Sequence, residues 1–262
     1  MIERRRNRKQ YFDEQAFTTK KYVIPYMEGV MPFDKETSIL EIGCGEGGNL
    51  EPFVDLNLSV IGVDINEKQI ENAKIYLSDH PNSNNLKLIA ENIYNVTTED
   101  IGKFDFIMMR DVIEHIPNQE MFMGYIKQFL KPEGKIFFGF PPWQMPFGGH
   151  QQGCRSKIGK TLPYYHILPA PIYSFLLKRF GEAEGTIKGL LNTKSTGISI
   201  ERFEKILKTN QYKIDKKTSY FINPNYEIKF KLKPRKQIPI LGSIPYLRNF
   251  VNTCVYYIVS EK

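Results

Sequence analysis

The amino-acid sequence predicts an α/β protein built on an open, doubly wound, mostly parallel sheet. Three observations carry that prediction. Short apolar runs at 38–42, 60–63, 86–90, 104–109 and 135–140 alternate with amphipathic stretches over short connections, the pattern of strands in one sheet with helices on both faces. The run 104–109 is apolar at consecutive positions apart from Asp105, as in a parallel strand covered on both sides. The first run ends abruptly in glycines, ILEIGCGEGGNL at 39–50, which reads as a buried strand turning sharply into a helix.

That turn has a chemistry of its own. Glycine tolerates the unusual backbone angles of a sharp turn and lets a ligand approach the main chain. The helix that follows would aim free N–H groups at an anionic ligand group such as a carboxylate or phosphate. Twenty-one residues beyond Gly43, the second run closes on Asp64, where an acid can hold the ribose hydroxyls of a nucleoside. Strand, glycine turn, helix, strand and acid make a nucleoside-binding unit. Gly43, Gly45 and Gly48 also fit the GxGxxG spacing of dinucleotide enzymes.

The remaining elements follow from local signals. Residues 1–36 show no strand period, and helical stretches broken at Pro25 and Pro32 are expected. A helix over 48–56 carries Pro52 in its first turn, where proline is tolerated. Asn66 caps the next helix with Gln69 three residues on, and Ile70, Ala73 and Leu77 face the sheet at helical spacing. Residues 81–85 are a turn cluster before the strand at 86–90. A further helix places Phe122, Tyr125, Ile126, Phe129 and Leu130 on one stripe and ends before Pro132.

From Pro141 the alternation breaks. The loop PPWQMPFGGH at 141–150 holds the only tryptophan, Trp143, and leads to a helix with Ile172, Phe175, Leu176 and Phe180 on one side. A long aromatic insertion of this kind is usually functional. Ser199 opens another helix (Phe203, Ile206, Leu207), a strand follows over 212–220, and the last strand is expected over 254–259. The expected organisation is one domain over 1–262: N-terminal helices at 1–36, a nucleoside-binding core at 37–140, an insertion at 141–198, and a last helix and strands at 199–262 interrupted by an insertion at 223–250.

Composition narrows the function classes. With 41% apolar and 25% charged residues the chain is globular rather than disordered. No apolar run reaches the ~18 residues that would span a bilayer, and the charged first residues lack the apolar core of a secretory signal. Cys44, Cys154 and Cys254 have neither an even count nor metal-ligand spacing, so reduced thiols and a cytoplasmic location are expected. The formal charge of +7 is concentrated at Arg4, Arg5, Arg6, Arg8 and Lys9 and again at Lys229, Lys231, Lys233, Arg235 and Lys236. In the second cluster Ile228, Phe230 and Leu232 alternate with lysines. This reads either as a peripheral contact of 228–247 with the inner face of the membrane, or as a β-hairpin packing its apolar side on the domain.

Glu41 precedes the first glycine, giving ExGxGxG. With this motif, FDFIMMRDVIEHI at 104–116 and FLKPEGKI at 129–136, the chain resembles class I S-adenosylmethionine-dependent methyltransferases, whose motifs it carries in order from about residue 36 to 140. The resemblance implies a Rossmann-like seven-stranded sheet with an antiparallel last strand, lid and cap insertions, and S-adenosyl-L-methionine as cofactor. It implies Glu41, Gly43, Cys44, Gly45, Gly47, Asp64, Ile65 and Arg110 around that cofactor, with Asn92 and Ile93 matching the residue types that meet the adenine. The resemblance further implies that 1–36 forms lid helices over the cofactor mouth, that 37–140 is the cofactor-binding core and that 141–198 is an acceptor-side insertion.

Methyl transfer from a sulfonium is an in-line displacement that needs nucleophile and methyl carbon ~3–3.5 Å apart. A hydroxyl acceptor also needs a base, most often histidine. His115, at the end of the fourth run, and His150 and His166, in the insertion, are the candidates. For each, a structural histidine is the reading that the residue type alone favours. Asp111, Glu114 and His115 form a DxxEH that resembles the ExxEH of ubiquinone-pathway O-methyltransferases, where it is implicated in holding a divalent ion beside a catechol. The same pattern occurs in methyltransferases without a metal, and none is expected here. The expected acceptor is a small or lipid-linked molecule, methylated at oxygen. RNA or protein methylation, and cofactor binding without methyl transfer, are the alternatives. DNA is not expected, because the Pro-Pro-aromatic motif of amino-methylating DNA enzymes would follow the fourth run, whereas Phe140-Pro141-Pro142-Trp143 follows the fifth. A nicotinamide oxidoreductase would need a second catalytic apparatus that the remaining residues do not supply.

Overall fold

The computed structural model describes residues 7–262; the basic residues Arg4, Arg5 and Arg6 lie outside them. The strands are β1 (Ser38–Ile42), β2 (Ser59–Asp64), β3 (Leu86–Ala90), β4 (Phe104–Arg110), β5 (Leu130–Phe140), β6 (Tyr212–Ile222), β7 (Arg235–Lys236) and β8 (Cys254–Glu261). They form one sheet in the order β3-β2-β1-β4-β5-β8-β6-β7. The first five are parallel, and β8 runs antiparallel between β5 and β6. Eight strands stand where seven are expected; the addition is the two-residue β7 on the β6 edge. The order reverses between β1 and β4, and a ligand of such a sheet sits outside the carboxyl ends of the strands at that reversal.

The helices are α1 (Arg8–Thr18), α2 (Ile24–Glu28), α3 (Glu51–Asp55), α4 (Glu67–Leu77), α5 (Thr98–Ile101), α6 (Gln119–Tyr125), α7 (Lys157–Thr161), α8 (Ala170–Arg179), α9 (Glu184–Thr196), α10 (Ile200–Thr209), α11 (Asn225–Phe230), α12 (Pro239–Ser243) and α13 (Arg248–Val251). The expected break at Pro25 does not occur. One wider π turn, Thr19–Val23, joins α1 to α2, which relaxes the backbone just where proline brings no N–H. Asn66 caps α4 by accepting from the Gln69 N–H, and Ile70, Ala73 and Leu77 are buried. Helix α3 is shorter than 48–56 because the chain from Gly43 to Leu50 is spent on the glycine turn. Leu130, expected on the helical stripe, instead opens β5 opposite Phe104; Pro132 disfavours helical backbone at Lys131, so the chain is already extended ahead of it.

Two large apolar clusters flank the sheet, one including Ile107, Phe138 and Phe203, the other Phe53, Phe106 and Tyr256. The insertion 141–198 has a small core of its own: Cys154, Tyr165, Tyr173, Leu177, Ile187 and Leu190. Its two ends meet where the Trp143 N–H donates to the Ile198 carbonyl at 2.8 Å. In α8 the buried side chains are Tyr173 and Leu177, while Ile172 and Phe175, expected to pack, are exposed. The alternation at 228–232 forms no hairpin strand. Pro224, with its fixed φ, starts α11, and Lys231 ends it in the left-handed region at φ 59°.

Candidate active site

The glycine turn lies at the carboxyl end of β1. Gly43, Gly45 and Gly47 have φ of 76°, 55° and 80°, a region that disfavours side chains. At Gly43 a Cβ would come within 2.6 Å of Val112 Cγ2, so only glycine lets the segment after β4 close against the turn. Asp64, ending β2, accepts from the Gly45 N–H at 2.8 Å through Oδ2 and from the Asn66 N–H at 2.8 Å through Oδ1. Its carboxylate is thereby fixed beside the turn. Ile65, next to it, is 75% exposed. Asn92 is half-buried; its side-chain oxygen accepts from the Tyr94 N–H at 3.1 Å. Ile93 is buried in the core. Ile65 is therefore the apolar side chain with a free face at this end of the sheet.

Glu41 and Arg110 do not face an open site. Glu41 is fully buried and accepts from Asn49 Nδ2 at 2.7 Å. Asn49 Oδ1 in turn accepts from Arg110 Nη1 at 2.8 Å and from Thr19 Oγ1 at 2.9 Å. Arg110 also reaches the Gln15 carbonyl at 3.5 Å. Burial pushes the Glu41 carboxyl up to about 8, against the opposing effects of the Asn49 bond and the Arg110 charge. The network fastens α1 to the glycine turn from beneath. Arg8 adds a pair with Glu46 at 2.8 Å, and a Cβ at Gly48 would lie 2.4 Å from the Phe12 carbonyl oxygen. Asn49, Thr19 and Gln15 were not legible as partners, because hydrogen bonds across 30 and 95 residues leave no periodic trace in the chain. Cys44 is buried, its sulfur against the position a Cβ of Gly62 would take.

The segment after β4 supplies the other side. Asp111 is exposed, held in the left-handed region at φ 55° by donating its N–H to the Gly139 carbonyl at 2.7 Å. His115 is exposed and His150 half-buried, their rings 4.8 Å apart and edge to face. The topology thus brings His150 back from the insertion to the end of β4. Glu114 is buried with neither carboxyl oxygen hydrogen-bonded among the described residues. Desolvation, reinforced by the Asp111 charge, holds its pKa well above the usual carboxylate range. One ligand atom each from Glu114, His115 and His150 lie within 4.8 Å of one another. His150, which no spacing rule would pair with Glu114, takes the place expected for Asp111 in that group. Tyr226 of α11, missed in the sequence, feels the Asp111 charge and is raised to about 12, mainly by burial.

His166 behaves differently. It is fully buried, its Nε2 2.8 Å from the Trp143 carbonyl oxygen and its ring edge to face with Trp143 at 4.8 Å. Burial lowers it to about 4. A Cβ at Gly149 would strike it at 2.4 Å. It fixes the 143–150 loop from within, so it is a loop-positioning residue and not a candidate base.

Over 113 residues the chain is 37% identical to a ubiquinone biosynthesis O-methyltransferase of Bartonella tribocorum, covering 41% of this chain and 42% of that protein. It is 34% identical over 103 residues to the protein of that description from Pelagibacter ubique, covering 39% and 41%. The chain thus spans about two-fifths of the length of these curated relatives. Among solved structures, the plantazolicin methyltransferase BpumL, in complex with a monoazolic desmethylPZN analog and SAH, superposes with a TM-score of 0.58 at 15% identity over 98% of this chain and 87% of that one. Geranyl diphosphate C-methyltransferase from Streptomyces coelicolor gives 0.56 at 11% identity over 90% and 78%. Both share the fold. The family model described as a methyltransferase domain matches residues 10–151, more than half of the 262 residues, and the chain belongs to that family.

Proposed function

We propose that the protein transfers a methyl group from S-adenosylmethionine to a hydroxyl of a small or lipid-linked acceptor. The observation that carries this reading is a juxtaposition. A positive-φ glycine turn with Asp64 fixed beside it ends β1 and β2, and the His115–His150 pair stands at the end of β4, next along the sheet. The glycine turn would receive the amino-acid end of the cofactor, Asp64 the ribose hydroxyls, and Ile65 one face of the adenine. Asn92 would meet the adenine edge. Glu41, Arg110 and Cys44 would act from below, by holding the turn and α1. The acceptor oxygen attacks the methyl carbon as the carbon–sulfur bond breaks, and sulfur leaves as a neutral thioether. The hydroxyl proton passes to one imidazole of the pair, with Tyr226 closing the site from α11. The positive charge passes from sulfur to the imidazole along this path and is dispersed in the transition state, so a site closed to water favours it.

A second reading adds a divalent ion. Glu114, His115 and His150 offer a carboxylate and two imidazoles, a donor set suited to zinc or manganese, and the unpartnered buried Glu114 carboxyl fits such a role. When bound, the ion would lower the pKa of the acceptor hydroxyl. Mixing the protein with S-adenosylhomocysteine and with NAD in a calorimeter tests the cofactor reading: binding of the first and not of the second is expected. Tight NAD binding with no response to the sulfur nucleoside would end it. Binding with no methylated product from any extract would instead favour a cofactor-binding protein without transfer activity. Loss of turnover on chelation, restored by manganese or zinc, would select the second reading.

A further inference from the structure

We infer that the segment from Phe230 to Leu247 is a docking surface for an anionic membrane leaflet. Residues 228–247 contain five cations, Lys229, Lys231, Lys233, Arg235 and Lys236, and no acidic residue, in a chain with 29 acids. Apolar side chains in the same stretch stand in solvent: Ile240 is 75% and Tyr246 73% exposed, and Phe230, Leu232 and Ile238 are exposed as well. A folded chain rarely leaves that much adjacent apolar surface open without a partner for it. Cations interleaved with aliphatic side chains match a leaflet whose anionic headgroups lie above acyl chains. Nucleic acid offers the phosphates but no apolar layer for Ile238 and Ile240. No described helix is long and apolar enough to cross a membrane, so the contact is one that lies on the surface.

The position of the segment joins this surface to the acceptor side of the site. It leaves α11, which carries Tyr226 and is tied to the N-terminal helices by Lys21–Glu227 at 2.9 Å and by Tyr22–Glu227. It ends near Phe250, whose ring lies 6.2 Å from that of Tyr164. The Tyr164 N–H donates to the Pro146 carbonyl at 2.9 Å, in the loop that carries His150. An acceptor held in the leaflet would reach the His115–His150 pair without leaving the bilayer entirely. That last step rests on the methyl-transfer reading; the docking itself does not.

Co-sedimentation of the full chain with vesicles tests it, with phosphatidylglycerol and phosphatidylcholine mixed in one set and phosphatidylcholine alone in the other. Retention on the anionic vesicles at low salt, weakening as salt screens the attraction, is the expected result. Each cation at the leaflet is worth about fivefold in partitioning, so Lys233→Glu with Arg235→Glu and Lys236→Glu should lower retention roughly 100-fold or more. Ile240→Ser with Tyr246→Ser should lower it about tenfold. These positions are exposed, so unchanged melting temperatures will show that the variants fold. Failure of anionic vesicles to retain the protein at low salt overturns the inference. So does retention that the apolar pair of substitutions leaves unchanged and that RNA competes away, which would mark a general polyanion surface. A concentration-dependent dimer that Ile240→Ser with Tyr246→Ser abolishes, in the absence of vesicle binding, assigns the face to a second copy and overturns it too. The assay needs no cofactor, so its failure leaves the methyl-transfer reading standing, and absence of S-adenosylhomocysteine binding leaves this one standing.

Discussion

Asp64 accepts from Gly45 and Asn66, and a carboxylate held in this way keeps acceptor capacity for the ribose hydroxyls that the proposed function assigns to it. Asp64→Ala should weaken S-adenosylhomocysteine binding by about 1–3 kcal/mol, roughly 5- to 150-fold in Kd, read by calorimetry; an unchanged affinity would remove Asp64 from the ribose contact. Glu41 acts on stability instead. Its folded-state pKa of about 8 lies above the ordinary 4.5, so between those values the folded chain binds more protons than the unfolded one. Glu41 therefore supports the fold fully below about pH 4.5, and that support is lost as pH rises through about 8. The slope across this window reaches at most about 1.4 kcal/mol per pH unit. Glu114, also raised by burial, pulls the same way. Urea midpoints measured in weakly acidic and weakly alkaline buffer should fall with pH, and Glu41→Gln should flatten the fall without abolishing it. A steeper fall in the variant would contradict the assignment.

At the scale of elements, the resemblance implied only that 1–36 packs over the cofactor mouth, and the contacts that seat α1 were concealed. Its composition shows only that 1–36 is not strand. What makes it a clamp is the approach of Phe12 to Gly48, the Arg8–Glu46 pair and the Thr19–Asn49–Arg110 bonds, contacts between segments far apart in the chain. Gly48→Ala would push a methyl onto the Phe12 backbone, and backbone cannot swing aside as a flexible side chain can. A loss of about 1–3 kcal/mol is expected, with weaker S-adenosylhomocysteine binding alongside it, measured by urea denaturation and calorimetry. If stability holds, α1 is not seated on the turn. Strand β1 was legible to the residue because a buried parallel strand is a near-continuous apolar run bounded by turn residues; β3, half-exposed at the sheet edge, was legible from the turn cluster at 81–85 that precedes it. The run at 228–232 was not, because an alternation of lysine and apolar residues over five positions suits a strand edge and an exposed short helix equally, and Pro224 decides between them. In α8, one helical stripe could be drawn through Ile172 and Phe175 or through Tyr173 and Leu177; packing on α9 and Tyr165 selected the second. In the site, the turn and Asp64 sit inside one contiguous motif, whereas pairing His150 with His115 requires the insertion to fold back.

In the proposed reading the whole molecule divides its work between a sheet that builds the cofactor end and an insertion at 141–198 that returns His150 to it. The insertion has a separate core, and its ends come together where Trp143 meets Ile198 and Gly197, with a Cβ at Gly197 only 2.5 Å from the indole. It also touches the rest of the molecule where the Thr196 hydroxyl donates to the Glu114 carbonyl at 2.7 Å, where Gln119 Nε2 donates to the Thr196 carbonyl at 2.8 Å, and where Tyr164 meets Phe250. A unit whose own core is that small should open at lower free energy than the sheet it stands on. The protein reports this by itself, since its one tryptophan is Trp143 and the far-ultraviolet circular dichroism signal comes mostly from the rest of the chain. Tyr173 is fully buried among Tyr165, Leu177 and their neighbours, so Tyr173→Ala should cost the insertion about 3–5 kcal/mol. In that variant the tryptophan fluorescence transition should precede the circular dichroism transition on heating or in urea. S-adenosylhomocysteine affinity should stay within a few-fold of the parent, because Asp64 and the glycine turn belong to the sheet, while methyl transfer collapses with the displacement of His150. Coincident transitions in Tyr173→Ala, with cofactor affinity and turnover lost together, would mean that the insertion and the sheet fold as one cooperative unit, and the proposed division of labour would fail.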